Sequence, residues 1–341
     1  MIGLTEHGMR VAITGIGAYA PERVLTNAEL ATMVETSDEW IVERTGIRER
    51  RIAAPEEALS DLCLPAAEQA LEQAGVEAKD LELIIVATVT PDMAFPATAA
   101  ILADQLAAPD AAAYDLSAGC TGFMYAIAQA YGMLAGGLAD NALVVGGDVL
   151  SKIMDWTDRR TCIVFGDGAG AVMLERARDG GFLGFELGTD GSGGSQLYLP
   201  AGGSRAPASA ETVAQKQHFV QMNGREVFKF ATRILISSAK KVLEECGRNV
   251  DDIDVYVPHQ ANVRIIDYAA GKLGIPKEKI VVNVDRYGNT SSGSIPLALA
   301  DAQAEGRLED GRLVLMTGMG AGLTWGSSLI EWSNGGTNGP N

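Results

Sequence analysis

The chain has 341 residues, 47% hydrophobic and 21% charged, with 40 glycines: an ordinary globular composition with enough chain for two core units. A formal net charge of -17 excludes wholesale nucleic-acid binding, so an anionic partner must meet a local basic patch. Four cysteines without a Cys-x-x-Cys pair and three histidines give no zinc-type set, which fits a reduced, cytoplasmic compartment, and no apolar run reaches membrane-spanning length.

Residues 1–9 hold no apolar core of the signal-peptide kind and are expected as a short disordered extension. Residues 10–17 predict a strand, and 27–34 a helix capped by Thr26 or Asn27. Residues 37–51 predict a short capped helix and a polar turn, rich in Arg and with one Trp. A helix is expected over 65–75, a β-branched strand covered on both faces over 83–89, and a helix over 98–107. Residues 111–116 predict a strand, 117–119 a turn and 121–138 a helix. A buried strand follows at 141–147. Residues 161–174 predict two strands joined by a glycine-rich hairpin. Residues 201–217 are poor in hydrophobics and read as a flap or crossing segment. A long amphipathic helix is expected over 226–246. Strands are expected at 254–258, 279–284, 312–317 and 326–332, helices at 262–273 and 294–305, and a disordered tail at 334–341.

Internal similarity organises these elements. Displaced by 170 positions, Asp115 falls on Asp285, and Cys120 falls on Thr290, beside Asn289. The helix face Ile127, Ala128, Ala130 falls on Leu297, Ala298, Ala300, and Leu143, Val144, Val145 on Leu313, Val314, Leu315. The chain therefore reads as a duplicated α/β unit, with halves at 10–180 and 181–333. Equivalent loops would meet at a pseudo-twofold centre, which makes Cys120 and Asn289 neighbours in space.

Cys120 sits at the turn between a strand and a helix. A helix N-terminus favours thiolate over thiol, which suits a nucleophile for acyl transfer; the alternative is a buried small hydrophobe. His259, in Val-Pro-His-Gln-Ala-Asn262, stands at the C-terminal end of a strand, where open α/β sheets gather their chemistry. The alternative is a structural histidine. Asn289 follows Gly288 and either holds a turn or donates a hydrogen bond to a carbonyl or enolate oxygen. The run Gly318-Met-Gly-Ala-Gly322 is either a hairpin or a source of backbone N–H groups for an oxyanion. Cys, His and Asn without a carboxylate suit Claisen chemistry: a carbanion made by loss of CO₂ attacks an acyl-enzyme, and no strong base is required. The run Gly166-Asp-Gly-Ala-Gly170 raises a nucleotide-binding phosphotransferase as a reading from another class, but no Gly-Lys-Ser/Thr loop accompanies it.

Over about residues 11–332 the sequence resembles the β-ketoacyl-[acyl-carrier-protein] synthase III family, the initiating condensing enzymes of type II fatty acid synthesis. The motifs are Thr36-Ser-Asp-Glu-Trp-Ile-Val with Arg-Thr-Gly-Ile-Arg48, Gly-Cys-Thr-Gly-Phe123, Phe165-Gly-Asp-Gly-Ala-Gly170, Val-Pro-His-Gln-Ala-Asn262 and Asp-Arg-Tyr-Gly-Asn-Thr-Ser291. The resemblance implies a thiolase-like α/β fold with duplicated halves in five αβαβα layers. It implies Cys120 as the nucleophile that takes a primer from acyl-CoA. His259 and Asn289 would promote decarboxylation of malonyl-carrier protein, and the amides of Cys120 and Ala321 would form the oxyanion hole. Trp40 and Arg159 match residues that sandwich the CoA adenine, and Arg44 and Arg264 match basic positions at the tunnel mouth. Lys229 and Lys272 lie where a basic patch receives the acidic acyl carrier protein, with Gln260 among the carrier contacts. Phe95 matches a residue that reaches the partner subunit's acyl pocket in a homodimer. Met319 stands in the same pocket region, where an aromatic is expected. The resemblance implies no metal and no organic cofactor, with acyl-CoA as substrate. Another thiolase-like acyltransferase, or a condensing enzyme of secondary metabolism, is the alternative that keeps the same Cys–His–Asn set.

Overall fold

The computed structural model describes residues 10–333; the extension and tail expected at the two ends lie outside them. One sheet runs in the order Arg10–Tyr19, Gly168–Ala177, Asn141–Asp148, Leu83–Ala87, Ala112–Leu116. The other runs Gly181–Thr189, Thr324–Glu331, Leu313–Gly320, Val255–Pro258. Read in these directions the two are counterparts. Asn141–Asp148 and Leu313–Gly320 each have a parallel neighbour on one side and an antiparallel one on the other.

Strand alternation sends successive side chains to opposite layers. Leu83, Ile85 and Val144 face one core with Val255, Val257, Val314 and Met316, and helices Gly122–Ala135 and Ser294–Ala304 fill the space between the sheets. Ile84, Val86, Leu143 and Val145 face the other way, against helices Leu59–Ala74 and Thr98–Gln105. On the far side, Tyr256, Leu315 and Leu329 pack under helices Gly224–Glu245 and Val263–Leu273. The result is five layers, with the inner strands of each sheet covered on both faces.

Three expectations are corrected. No strand forms over 279–284. A single parallel bridge joins Tyr256 to Ile280, and a short helix, Val284–Tyr287, follows. The side chain of Gln260 takes the place of a strand neighbour there: its Nε2 donates to Val281 O at 3.0 Å, and its Oε1 accepts from Asn283 N at 3.0 Å. No hairpin forms within 161–174 either. Residues 168–177 are one strand, and the residues before it bond across to the other half: Gly166 N donates to Asn289 O and Asn289 N to Val164 O. A Cβ at Gly166 would lie 2.3 Å from Tyr287 O, so this glycine serves a close approach of two backbones rather than a hairpin turn. The helix expected to start at Pro65 starts at Leu59, because Leu59, Leu62 and Cys63 already face the core. The strand Gly181–Thr189 and the two-stranded ribbon of Leu197–Tyr198 with Gln221–Met222 carry no sequence signal strong enough to be read.

Arg50 is fully buried and stitches this framework to the site. Its guanidinium donates to Leu25 O, Asn27 Oδ1 and Ile163 O, and burial lowers its pKa to about 10. Arg50→Ala strands two buried carbonyls and opens a cavity, so it is expected to destabilise the protein by about 3 kcal/mol in urea unfolding.

Candidate active site

Cys120 stands between the end of strand Ala112–Leu116 and the first turn of helix Gly122–Ala135. Gly119 holds φ +58, a left-handed value that suits glycine, and a Cβ there would lie 2.7 Å from Ala321 N. From the other side, a Cβ at Gly320 would lie 2.5 Å from Cys120 N. Two glycines thus let the Cys120 turn and the 318–326 segment touch backbone to backbone. That segment is a hairpin whose strands end at Gly320 and begin again at Thr324. The thiol departs from its expected state. Burial pushes it up to about 11, against the pull of the neighbouring Ser291 hydroxyl, and the buried carboxylate of Asp148 adds to the rise. Burial, the largest influence on the group, thus favours the neutral thiol.

His259 follows strand Val255–Pro258 and is 1% exposed. Burial lowers it to about 4, so the imidazole is neutral. Its Nδ1 lies 2.5 Å from Ser294 Oγ, while its Nε2 has no partner among the described residues. Asn289 is held by its own backbone bonds to Val164 and Gly166. Its Oδ1 accepts from Ser291 N at 2.8 Å, which leaves the amide nitrogen for a ligand. Ser291 takes the strained left-handed φ of 52 that this turn requires. Behind them, Asp148 Oδ1 accepts from Thr88 Oγ1, Val89 N and Thr90 N, and Oδ2 from Ser292 N at 3.2 Å. One buried carboxylate thereby pins the Val89 loop of the first half to the Asn289 loop of the second.

Two cavities meet at the thiol. A cavity of about 240 Å³ is walled by Val89, Leu150, Ile153, Phe165, Leu199 and Val220. Another, of about 130 Å³, brings His259, Asn289 and Met319 to Cys120. Cys120, Phe165 and Leu197 line both, and among the described residues no carboxylate lines either. The ribbon supplies Leu197, Tyr198 and Met222, so the stem of the 201–217 segment forms part of the wall. Residues 201–217 themselves are closed by a bond from Ala201 N to Gln217 O and contain a short helix, Ala210–Ala214. A ribbon of two residues per strand is too short for periodicity to reveal, which is why Leu197 and Met222 escape a sequence reading.

The other expected residues separate into groups. Trp40, Arg44 and Arg159 come together: the two guanidinium carbons lie 4.4 and 5.2 Å from the Trp40 ring centre. Arg159 closes on Trp40, with its Nη1 donating to Glu35 O at 3.0 Å. Arg264 lies over Phe228, which lines the second cavity, so it stands at that rim. Lys229 is tied to Glu226 at 2.7 Å. Lys272 borders an outer groove with Arg233, Lys240 and Tyr268. Gln260 is not a surface contact: it is 1% exposed and fully engaged with Pro258, Val281 and Asn283. Met319 lies on the His259 side and not in the larger apolar cavity. Phe95 is 83% exposed and lines neither cavity of this chain. Among the described residues no group of His, Cys, Asp or Glu is arranged to hold a metal ion, and no helix is long and apolar enough to cross a membrane.

Residues 114–191 match the family model for 3-oxoacyl-[acyl-carrier-protein] synthase III, and residues 243–332 match that for its C terminal part. A β-ketoacyl-[acyl-carrier-protein] synthase III of Symbiobacterium thermophilum is 57% identical over 323 residues, covering 94% of this chain and 98% of the relative. The chain belongs to the β-ketoacyl-[acyl-carrier-protein] synthase III family. A synthase III of Desulfitobacterium hafniense is 55% identical, covering 95% of this chain and 98% of its own. The crystal structure of the Thermus thermophilus synthase III superposes with a TM-score of 0.88 at 46% identity, covering 95% of this chain and 100% of that one. The thiolase-like α/β fold expected from the sequence is therefore the fold of this synthase III chain.

Proposed function

We propose that this enzyme is an acyltransferase that starts type II fatty acid synthesis by a decarboxylating condensation. Cys120 sulfur attacks the carbonyl of a primer acyl-CoA, and CoA leaves with the thiol proton. Malonyl-carrier protein then loses CO₂. The enolate carbon attacks the acyl-Cys120 carbonyl and the Cys120 thiolate departs, giving 3-oxoacyl-carrier protein. The observation that carries this reading is one thiol at the junction of an apolar cavity and a cavity with a neutral His259 and Asn289. His259 and Asn289 act as neutral donors to the malonyl thioester oxygen as it becomes an enolate. The amides of Cys120 and Ala321, brought together by Gly119 and Gly320, serve the tetrahedral oxyanion. Intact-mass analysis with a panel of acyl-CoAs, followed by malonyl-carrier protein, tests the reading. An acyl mass on the Cys120 peptide that converts to 3-oxoacyl-carrier protein supports it; loading without condensation would favour a simple acyltransferase.

The primer chain enters the larger cavity, and Trp40, Arg44 and Arg159 take the CoA nucleotide. No organic cofactor or metal takes part in these steps. The protein is read as a cytoplasmic homodimer of chains with halves at 10–180 and 181–333. The exposed Phe95 and Met93 support the dimer, since a large apolar pair in one loop calls for a cover. The acidic carrier docks on the face of helices Gly224–Glu245 and Val263–Leu273, where Arg233, Lys240 and Lys272 line a groove and Arg264 stands on the same helix as Lys272. Lys240→Glu with Lys272→Glu is expected to raise KM for the malonyl-carrier about 10-fold and to leave acyl-CoA loading within about 2-fold. Lys229→Glu should do less, because Glu226 already neutralises that lysine. Equal loss in both half-reactions would remove the patch from carrier docking.

A further inference from the structure

His259 can serve as a donor only if its proton sits on Nε2, and the chain contains a device that decides this. Ser294 is the first residue of helix Ser294–Ala304 and is 1% exposed. Its Oγ lies 2.5 Å from His259 Nδ1 and also accepts from Gln260 N at 3.3 Å. A hydroxyl has one proton to give and two lone pairs to accept with. If Nδ1 carried the imidazole proton, Oγ would accept from both neighbours. Its own buried O–H would then have no acceptor among its observed contacts, which is costly. If Oγ donates to Nδ1, every group is satisfied: Gln260 N–H gives to Oγ, Oγ–H gives to Nδ1, and the ring proton moves to Nε2. That nitrogen is the one left without a partner, in a residue that lines the cavity with Cys120 and Asn289.

We infer that Ser294 is a positioning residue that fixes His259 in the Nε2–H tautomer and so makes it a hydrogen-bond donor to the enolate oxygen rather than a base. The inference rests on the condensation reading. Gln260, a buried spacer by its other contacts, joins the relay through its backbone N–H. Because Ser294 opens a helix that packs against both sheets, the proton's place is set by the core and not by the substrate.

Ring nitrogen shifts of [¹⁵N]histidine-labelled protein read the tautomer without substrate, with His259→Gln used to assign the signal. The expected result is a protonated Nε2 in the wild type and a loss of that preference in Ser294→Ala. Condensation in Ser294→Ala should fall about 10- to 100-fold, as for other supporting partners of a catalytic histidine. Acylation by acyl-CoA should fall no more than about 2-fold, and Ser294→Thr should restore condensation. A proton on Nδ1 in the wild type would overturn the inference, even if Ser294→Ala failed to fold. Full condensation by a Ser294→Ala protein that keeps the Nε2 proton would overturn it too. Failure of wild-type Cys120 to load would strike the condensation reading instead, since the tautomer is measured independently.

Discussion

Cys120→Ser should remove covalent loading from acyl-CoA altogether, a loss on the order of 10⁴-fold or more in the full reaction. A serine hydroxyl fits the space of the thiol, but nothing in the site activates it. His259 is neutral, lowered to about 4 by burial, and its Nδ1 is committed to Ser294. Among the described residues no carboxylate lines either cavity to act as a base. The wild-type thiol succeeds because thioester exchange needs only thiolate, and that is present as a small fraction at neutral pH. With the thiol pushed up to about 11, the thiolate fraction grows about tenfold per pH unit below it, so the loading rate should climb with pH from about 7 to 9. Burst measurements of CoA release would show this. A loading rate flat in pH, or an acyl adduct on the Cys120→Ser protein, would mean that another group performs the first step.

Gly320→Ala should lower turnover about 10²- to 10³-fold although the substitution removes no functional group. The added Cβ would sit 2.5 Å from Cys120 N and 3.1 Å from Cys120 Cα, so the hairpin must withdraw from the nucleophile turn. Withdrawal parts the amides of Cys120 and Ala321. Loss of paired oxyanion donors costs about 10²- to 10³-fold in kcat. Gly132→Ala, where a Cβ meets nothing within 4 Å, is the matched control. Thermal unfolding of both proteins separates a misplaced donor from an unfolded chain. Wild-type loading by folded Gly320→Ala would show that these two amides do not act as a pair.

The sequence discloses the centre of the site better than its edges, for reasons of range. Cys120, His259 and Asn289 each follow or precede a strand or helix with strong periodicity, and the internal repeat brings the first and last together. The apolar run at 279–284 misleads, because Gln260 supplies from a side chain the bonds that a strand would have made. Glycines at 166–170 imitate a hairpin, yet Gly166 exists for a contact with Tyr287 far along the chain. Ser291 and Ser294 look like ordinary serines of a polar turn. Only the fold reveals that one takes a left-handed backbone beside the thiol and the other faces an imidazole. The cationic groove is legible in part: Lys272 borders it, but Arg233 and Lys240 come to it through helix geometry that single residues do not advertise.

The five-layer arrangement also governs how the molecule can be made. Helix Gly122–Ala135 and helix Ser294–Ala304 belong to one core with both sheets, and strands up to residue 331 close it. A chain emerging from the ribosome can build the first sheet and its outer helices early. The inner face of the helix behind Cys120 must then wait, apolar and open, until strands Leu313–Gly320 and Thr324–Glu331 have been added. The nucleophile therefore exists as sequence long before it exists as a site, and no shorter nascent piece holds a finished catalytic centre that could react too soon.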